Sequence, residues 1–405
     1  MNKHLVTLIL TLLIVSCGEK PTYDLVIQNA NLFDGYNNLG IVNIAINKDT
    51  IAVITSEQII GDSTIDDSGK FIIPGLVNAH VHASSIEQLK QGYKRGIMYL
   101  LNMHTGLEAR EQEWKIWSRD SNGYSLLYGS GHAATVPGGH PTQFSPEMET
   151  INDSISVPTW VDNRISNGAD YIKLIHVNRG WLGDPAPPSL SYEAIGQIIQ
   201  YTHSKNYKAV IHATTVEEII ELAKYKPDGF VHMIDFKDEL PVPEEYYQKL
   251  KESGAFIVTT GGISLKSMDG VPPFITEWVN ENLLDAEQRA EIIKKYHENG
   301  ILIVAGTDAQ EGQMNFEDDY FLELDLYKLS GLSNLEILKA ATGNAATAFN
   351  LPIGDLKVGS RANFVVLNAS PLDDISNIKE INQIWKNGQR LHFLMERILM
   401  IKKYH

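Results

Sequence analysis

Eight short apolar runs, separated by longer amphipathic stretches, leave this chain few architectures to adopt. They read FIIPGLVNAH (71–80), GIMYLLNMH (96–104), YSLLYGSG (124–131), DYIKLIHV (170–177), KAVIHATT (208–215), GFVHMID (229–235), AFIVTTGG (255–262) and ILIVAGTDA (301–309). Between them lie segments such as SYEAIGQIIQYTHSKN, TVEEIIELAKYK, PEEYYQKLKESG and DAEQRAEIIKKYHENG. Their apolar residues recur at three and four, and several close on Gly or Asn, as amphipathic helices do. Eight strands, each followed by a helix, predict an α/β fold with a (β/α)8 TIM barrel over 71–350. A doubly wound sheet is the alternative, but the eight repeats and the long loop after YGSGH favour closure.

Both ends of the chain are β-rich. DLVIQNANLF and IVNIAINKDTIAVI precede the barrel; ANFVVLN (362–368) and INQIWKNGQRL (381–391) follow it. These segments, 21–70 and 351–395, are expected to build one composite small β-sandwich domain. The first residues, MNKHLVTLILTLLIVSCGEK, have a basic start, an apolar run too short to span a bilayer comfortably, and then the only cysteine, Cys17. IVSCG resembles a bacterial lipoprotein cleavage site, so 1–17 reads as a signal peptide with Cys17 as the lipidated residue. An ordinary signal with a chance cysteine is the alternative. The resemblance implies an exported protein, on the periplasmic or cell-surface side, held to the membrane by a lipid anchor alone. A single cysteine rules out an internal disulfide and a Cys-ligated zinc. With 34 Lys and Arg against 50 Asp and Glu, a net charge of −16 and no basic cluster, nucleic-acid binding is not expected.

In a barrel of this kind, chemistry sits at the C-terminal ends of the strands. Strand one ends in His80 and His82, which share a face because alternate residues of a strand do. Strand four carries Lys173 between apolar neighbours, strand five ends in His212, strand six in His232 and strand eight in Asp308. Four imidazoles, a lysine and a carboxylate would thus face one mouth. A hydrogen-bonded His pair at a strand end is the plain alternative for His-x-His by itself.

The set resembles the amidohydrolase superfamily of metal-dependent hydrolases. The similarity extends through PGLVNAHVH, GADYIKL, AGTDA and LEILKAATGNAATAFNLPIGDLKVGSRANFVVL. It implies that His80, His82 and Asp308 hold one metal ion, that His212 and His232 hold a second, and that Lys173 bridges them as a carbamate. Zinc suits such imidazole and carboxylate ligands, with manganese or iron as alternatives. A plain lysine beside a single ion is the other reading of Lys173. The ion would supply hydroxide and polarise a carbonyl, with Asp308 as general base and then acid.

Deaminases of the superfamily typically carry a Glu three residues after the strand-five His, where this chain has Thr215. HAATVPGGHPT and PSLSYEAIGQIIQYTHSKNYKAVIHA look more like imidazolonepropionase-like and prolidase-like members. Those imply hydrolysis of a C–N bond in a dipeptide, N-acyl amino acid or cyclic amide. His140 and Arg179 are the candidates for substrate contact, weighed against solvated loop residues. His104 stands where such relatives more often have Arg-Asp, and FVHMID departs from the usual Glu-His-Gly. Lactone or ester hydrolysis, or a non-catalytic ligand-binding lipoprotein, are the competing readings. The terminal LMERILMIKKYH would suit an amphipathic helix on the barrel or on another subunit of a homo-oligomer.

Overall fold

The computed structural model describes residues 22–152 and 154–390. Cys17 with its signal segment, and LMERILMIKKYH, lie outside the described residues. The described residues open on an antiparallel meander of β1 (Tyr23–Phe33), β2 (Asn38–Asn47) and β3 (Thr50–Thr55). Along its other edge β1 takes two parallel partners in succession, β4 (Gly61–Asp66) and then β5 (Phe71–Pro74). The change of partner falls at a register shift where Asn29 has φ 59°. A short polar side chain tolerates that left-handed backbone.

The run FIIPGLVNAH, read above as one strand, divides at Gly75. Phe71–Pro74 joins the small sheet, and β6 (Leu76–Val81) opens the barrel. A Cβ at Gly75 would sit 2.5 Å from Met98 Sδ, so only glycine lets the chain cross here.

β6, β7 (Ile97–Asn102) and β8 (Leu126–Gly129) form one parallel ladder. β9 (Ile172–Ile175), β10 (Ala209–His212), β11 (Gly229–Phe230), β12 (Phe256–Val258) and β13 (Ile303–Val304) form another. Parallel bridges Ala134–Leu174 and Val81–Ala309 join the ladders at both seams. The barrel is thus the expected one, with shorter strands than the apolar runs suggested.

Its helices are α1 (Ile86–Lys94), α2 (Glu108–Asp120), α3 (Val157–Ser166), α4 (Tyr192–Ser204), α5 (Val216–Ala223) and α6 (Glu244–Ser253). They continue with α7 (Pro273–Asn282), α8 (Ala286–Glu298), α9 (Tyr320–Leu329), α10 (Asn334–Ala340) and α11 (Gly343–Phe349). Most pack an apolar stripe; α4 buries Ile195, Ile198, Ile199 and Thr202. α2 instead buries Glu111, Lys115 and Ser118, and α7, an insertion after β12, has no buried residue.

β14 (Phe364–Leu367), β15 (Ile381–Lys386) and β16 (Gln389–Arg390) complete the first sheet, β14 pairing antiparallel with β5. The small unit is therefore one connected eight-stranded ladder, closed toward β3 by the Thr50–Arg361 bridge. Ile27, Leu32, Ile44, Phe364 and Trp385 fill its own core. Lys386 of β15 ties it to the barrel by donating to the Ser118, Ser121 and Tyr124 carbonyls at the C-terminal end of α2. An ammonium suits that end of a helix.

Under β7 and β8, buried Glu111 accepts from Asn102 Nδ2 at 2.6 Å and from the Gly131 N–H at 3.0 Å. Burial pushes its carboxyl up to about 7, against the pull of Asn102, Lys115 and Gly131. Because the folded value lies above the unfolded one, this group's stabilisation is complete below about pH 4.5 and lost as pH rises through 7. Glu111→Gln is expected to remove that slope. The variant's melting temperature relative to wild type should rise between pH 5 and 8; a constant difference would refute the assignment.

Candidate active site

The barrel seam at β6 brings the first three residues together. Asn78 Nδ2 donates to Thr307 Oγ1 at 2.8 Å, the Thr307 N–H returns to Asn78 Oδ1, and the Asp308 N–H donates to the His80 carbonyl at 2.9 Å. These bonds hold Asp308, at φ 57°, against the end of β6. Its Oδ1 lies 3.2 Å from His80 Nε2 and 3.0 Å from His82 Nε2, and the two imidazole nitrogens are 3.3 Å apart.

The protons of this cluster do not account for its geometry. His80 Nδ1 is 2.8 Å from the Val231 carbonyl, a group that only accepts, so Nδ1 carries the hydrogen and Nε2 is bare. A bare nitrogen then faces a carboxylate oxygen that is itself buried without a hydrogen bond. A cation between the three atoms would relieve that opposition, and all three lie within metal-ligand reach of one another.

The remaining expected residues line the same mouth. Lys173 is 2% exposed, at the centre of β9. The His212 and His232 rings are 4.3 Å apart, and His232 is 4.7 Å from His80. His232 turns its Nδ1 to Thr260 Oγ1 at 2.9 Å. Burial is the largest force on every one of these bases. It pushes His80 down to about 4 with Lys173 and His82 adding and Asp308 opposing, and it pushes Lys173 down to about 7. His212 and His232 are held well below the ordinary histidine range, chiefly by burial, with the neighbouring basic side chains adding to it. For Asp308, burial raises the carboxyl, but His80 and His82 together outweigh it and hold it well below its usual range. Neutral imidazoles, an ionised carboxylate and a readily neutralised amine are the forms in which these side chains bind cations.

The two substrate candidates part company. The His140 ring stands 5.7 Å from that of His212, inside the mouth. Gln143 Nε2 donates to its Nδ1 at 2.7 Å, and burial, then His82 and Lys173, push it down to about 4. Neutral His140 therefore carries its hydrogen on Nε2. Arg179 is engaged elsewhere: Nη1 pairs with Asp238 at 2.7 Å and the guanidinium lies 3.9 Å over the Phe236 ring.

Two residues are loop fasteners beyond the expected set. His104 accepts from the Ala133 N–H and meets Ser145 Oγ at 3.1 Å. His132 accepts from the Glu149 N–H at 3.0 Å. In the sequence His104 is marked by its place at the end of strand two, and His132 only by its histidine identity. Thr215, in place of the deaminase carboxylate, caps α5, and Glu218 completes its capping box.

Comparison with known proteins places this arrangement. The adenine deaminase of Thermosipho melanesiensis is 43% identical over 72 residues, 18% of this chain and 12% of that enzyme, so the chain spans only a small part of the first curated relatives it matches. The 5-methylthioadenosine/S-adenosylhomocysteine deaminase of Thermoanaerobacter pseudethanolicus is 25% identical over 370 residues, 80% of each chain. A solved Xaa-Pro dipeptidase with methionine in its active site shares the fold at a TM-score of 0.74 and 18% identity, covering 91% of this chain and 99% of that one. The Amidohydrolase family model matches residues 71–391, from the end of the small sheet's first half through the whole barrel and back, and the chain belongs to that family.

Proposed function

We propose that this protein is a metal-dependent hydrolase that cleaves the C–N bond of a dipeptide, N-acyl amino acid or cyclic amide. The observation that carries the reading is the electron-rich cluster of His80 Nε2, His82 Nε2 and Asp308 Oδ1, with neutral-leaning Lys173 buried beside it. His80, His82 and Asp308 would hold one zinc-like ion and His212 with His232 a second. Lys173, as a neutral amine, would add carbon dioxide, lose a proton and hold both ions as a carbamate. When bound, such ions supply polarisation of the substrate carbonyl and acidify water.

The chain's own residues manage the protons. Asp308 takes one from the attacking water and delivers it to the departing nitrogen. His140 donates its Nε2 hydrogen to the carbonyl oxygen, steadying it as charge develops. Gln143 fixes the tautomer that makes this donation available.

Deamination, the activity named for the relatives above, needs a carboxylate to protonate a ring nitrogen. The place three residues past His212 holds the Thr215 hydroxyl, and Glu218 is occupied by the backbone N–H groups of Asn178, Thr214 and Thr215. That favours the amide reading. The export signal and the lipid anchor at Cys17 belong to the same proposal, as the place where such a substrate is met.

The test is amine release from a panel of dipeptides and N-acyl amino acids, with adenosine in parallel, using zinc-loaded and chelator-stripped protein lacking residues 1–17. Zinc-dependent release from the first two classes and none from adenosine is expected. Ammonia from adenosine would replace the reading with deamination. Zinc bound with no release from any member of the panel would overturn the amide reading.

A further inference from the structure

The turn after β12 is an unusual place for a threonine. Thr260 has φ 49°, in the left-handed region that β-branched residues rarely enter. It is buried, at 7% exposure, and its hydroxyl meets His232 Nδ1 at 2.9 Å. Its neighbours hold it in that conformation. Glu323 of α9, with no exposed surface, accepts the Gly261 and Gly262 N–H groups, the latter at 2.6 Å, and takes the Thr259 hydroxyl as well. Thr259 Oγ1 also reaches Tyr327 Oη at 2.7 Å. A buried carboxylate on a neighbouring helix thus fastens residues on both sides of a strained threonine. A residue kept in a costly conformation by such surroundings points to a role for its side chain.

That side chain meets a ring that stands 4.7 Å from His80 and 4.3 Å from His212. A threonine hydroxyl can donate or accept. With His232 Nε2 given to a cation, Nδ1 carries the hydrogen and Thr260 Oγ1 accepts it. For His80 the corresponding partner is a backbone carbonyl, which no substitution removes. For His232 it is this one hydroxyl.

We propose that Thr260 is a positioning residue: its hydroxyl fixes the tautomer and orientation of His232 and thereby sets the affinity of the ion that His232 holds. The inference rests on the metal-centre reading above. Partners of this kind on metal-bound histidines typically change ion affinity 10- to 100-fold when removed.

The experiment compares zinc binding by the full chain, wild type, Thr260→Val and Thr260→Ser, through competition with a chromophoric chelator. Zinc per chain and the melting temperature of the metal-free proteins are measured alongside. Valine keeps the shape and β-branching, so the turn is retained and only the hydroxyl is lost. The expected result is a 10- to 100-fold weaker zinc site in Thr260→Val, with Thr260→Ser within about threefold of wild type. Equal affinity in wild type and Thr260→Val overturns the positioning role alone. Loss of affinity in the serine variant matching that in the valine variant also overturns it, because the hydroxyl would then not matter. A wild type that binds no zinc overturns the metal centre and this role together.

Discussion

Asp308→Asn is expected to lower kcat/KM for the responsive amide at least about a thousandfold while leaving the fold intact. The substitution keeps the side-chain volume, and asparagine accepts the left-handed backbone that Asp308 occupies at φ 57°. The Asp308 N–H bond to the His80 carbonyl is a backbone interaction and survives. What disappears is an anionic oxygen 3.2 and 3.0 Å from two imidazole nitrogens. An amide cannot take the water's proton at neutral pH, and general acid–base groups contribute about 10²–10⁴ in rate. Weakening of the ion adds to that, so zinc content is measured in the same preparation. A variant that holds its zinc and keeps wild-type kcat/KM would remove Asp308 from the reaction. One that regains activity in excess zinc would reduce it to a ligand.

The strand-end residues were legible because period-two alternation is local: His80 and His82 share a face wherever β6 goes, and apolar neighbours bury Lys173 in any parallel strand. Their convergence needed only the rule that a barrel's strands end at one mouth. What stayed hidden depends on partners distant in sequence. GDSTID (61–66) has no apolar alternation, yet it is a strand because β1 offers it a parallel edge. FIIPGLVNAH looks continuous, and only the approach of Met98 shows why it breaks at Gly75. Arg179 reads as a free loop arginine until Asp238 and Phe236, more than fifty residues on, occupy it. Thr260 carries no motif at all; its meaning lies in a backbone angle and in the ring beside it.

Removing Arg164 is expected to cause the largest loss of stability of any single change outside the mouth. Its guanidinium is buried on α3, with Nη2 2.6 Å from Glu149 Oε2, Nη1 2.8 Å from Glu108 Oε1, and its face 5.1 Å over the Trp160 ring. Glu108 also accepts from the His132 N–H and Asn167, and Glu149 from Asn163. One cation thus joins α2, α3 and the long segment between β8 and α3 that carries His132 and His140. Arg164→Met keeps the apolar stem over Trp160 but leaves the Glu108 and Glu149 carboxylates without their counter-charge. Breaking a buried pair in this way costs about 3–5 kcal/mol, a fall in melting temperature of roughly 5 °C for a chain of this size. If the cost is the stranded charge, Glu108→Gln and Glu149→Gln added to Arg164→Met should recover a large part of it. Because the same segment presents His140, whose hydrogen steadies the carbonyl oxygen as charge develops, kcat should fall in Arg164→Met more than KM rises. A variant as stable as wild type, or a triple variant no better than the single one, would show that packing against Trp160 holds this corner of the barrel and that the charges are incidental.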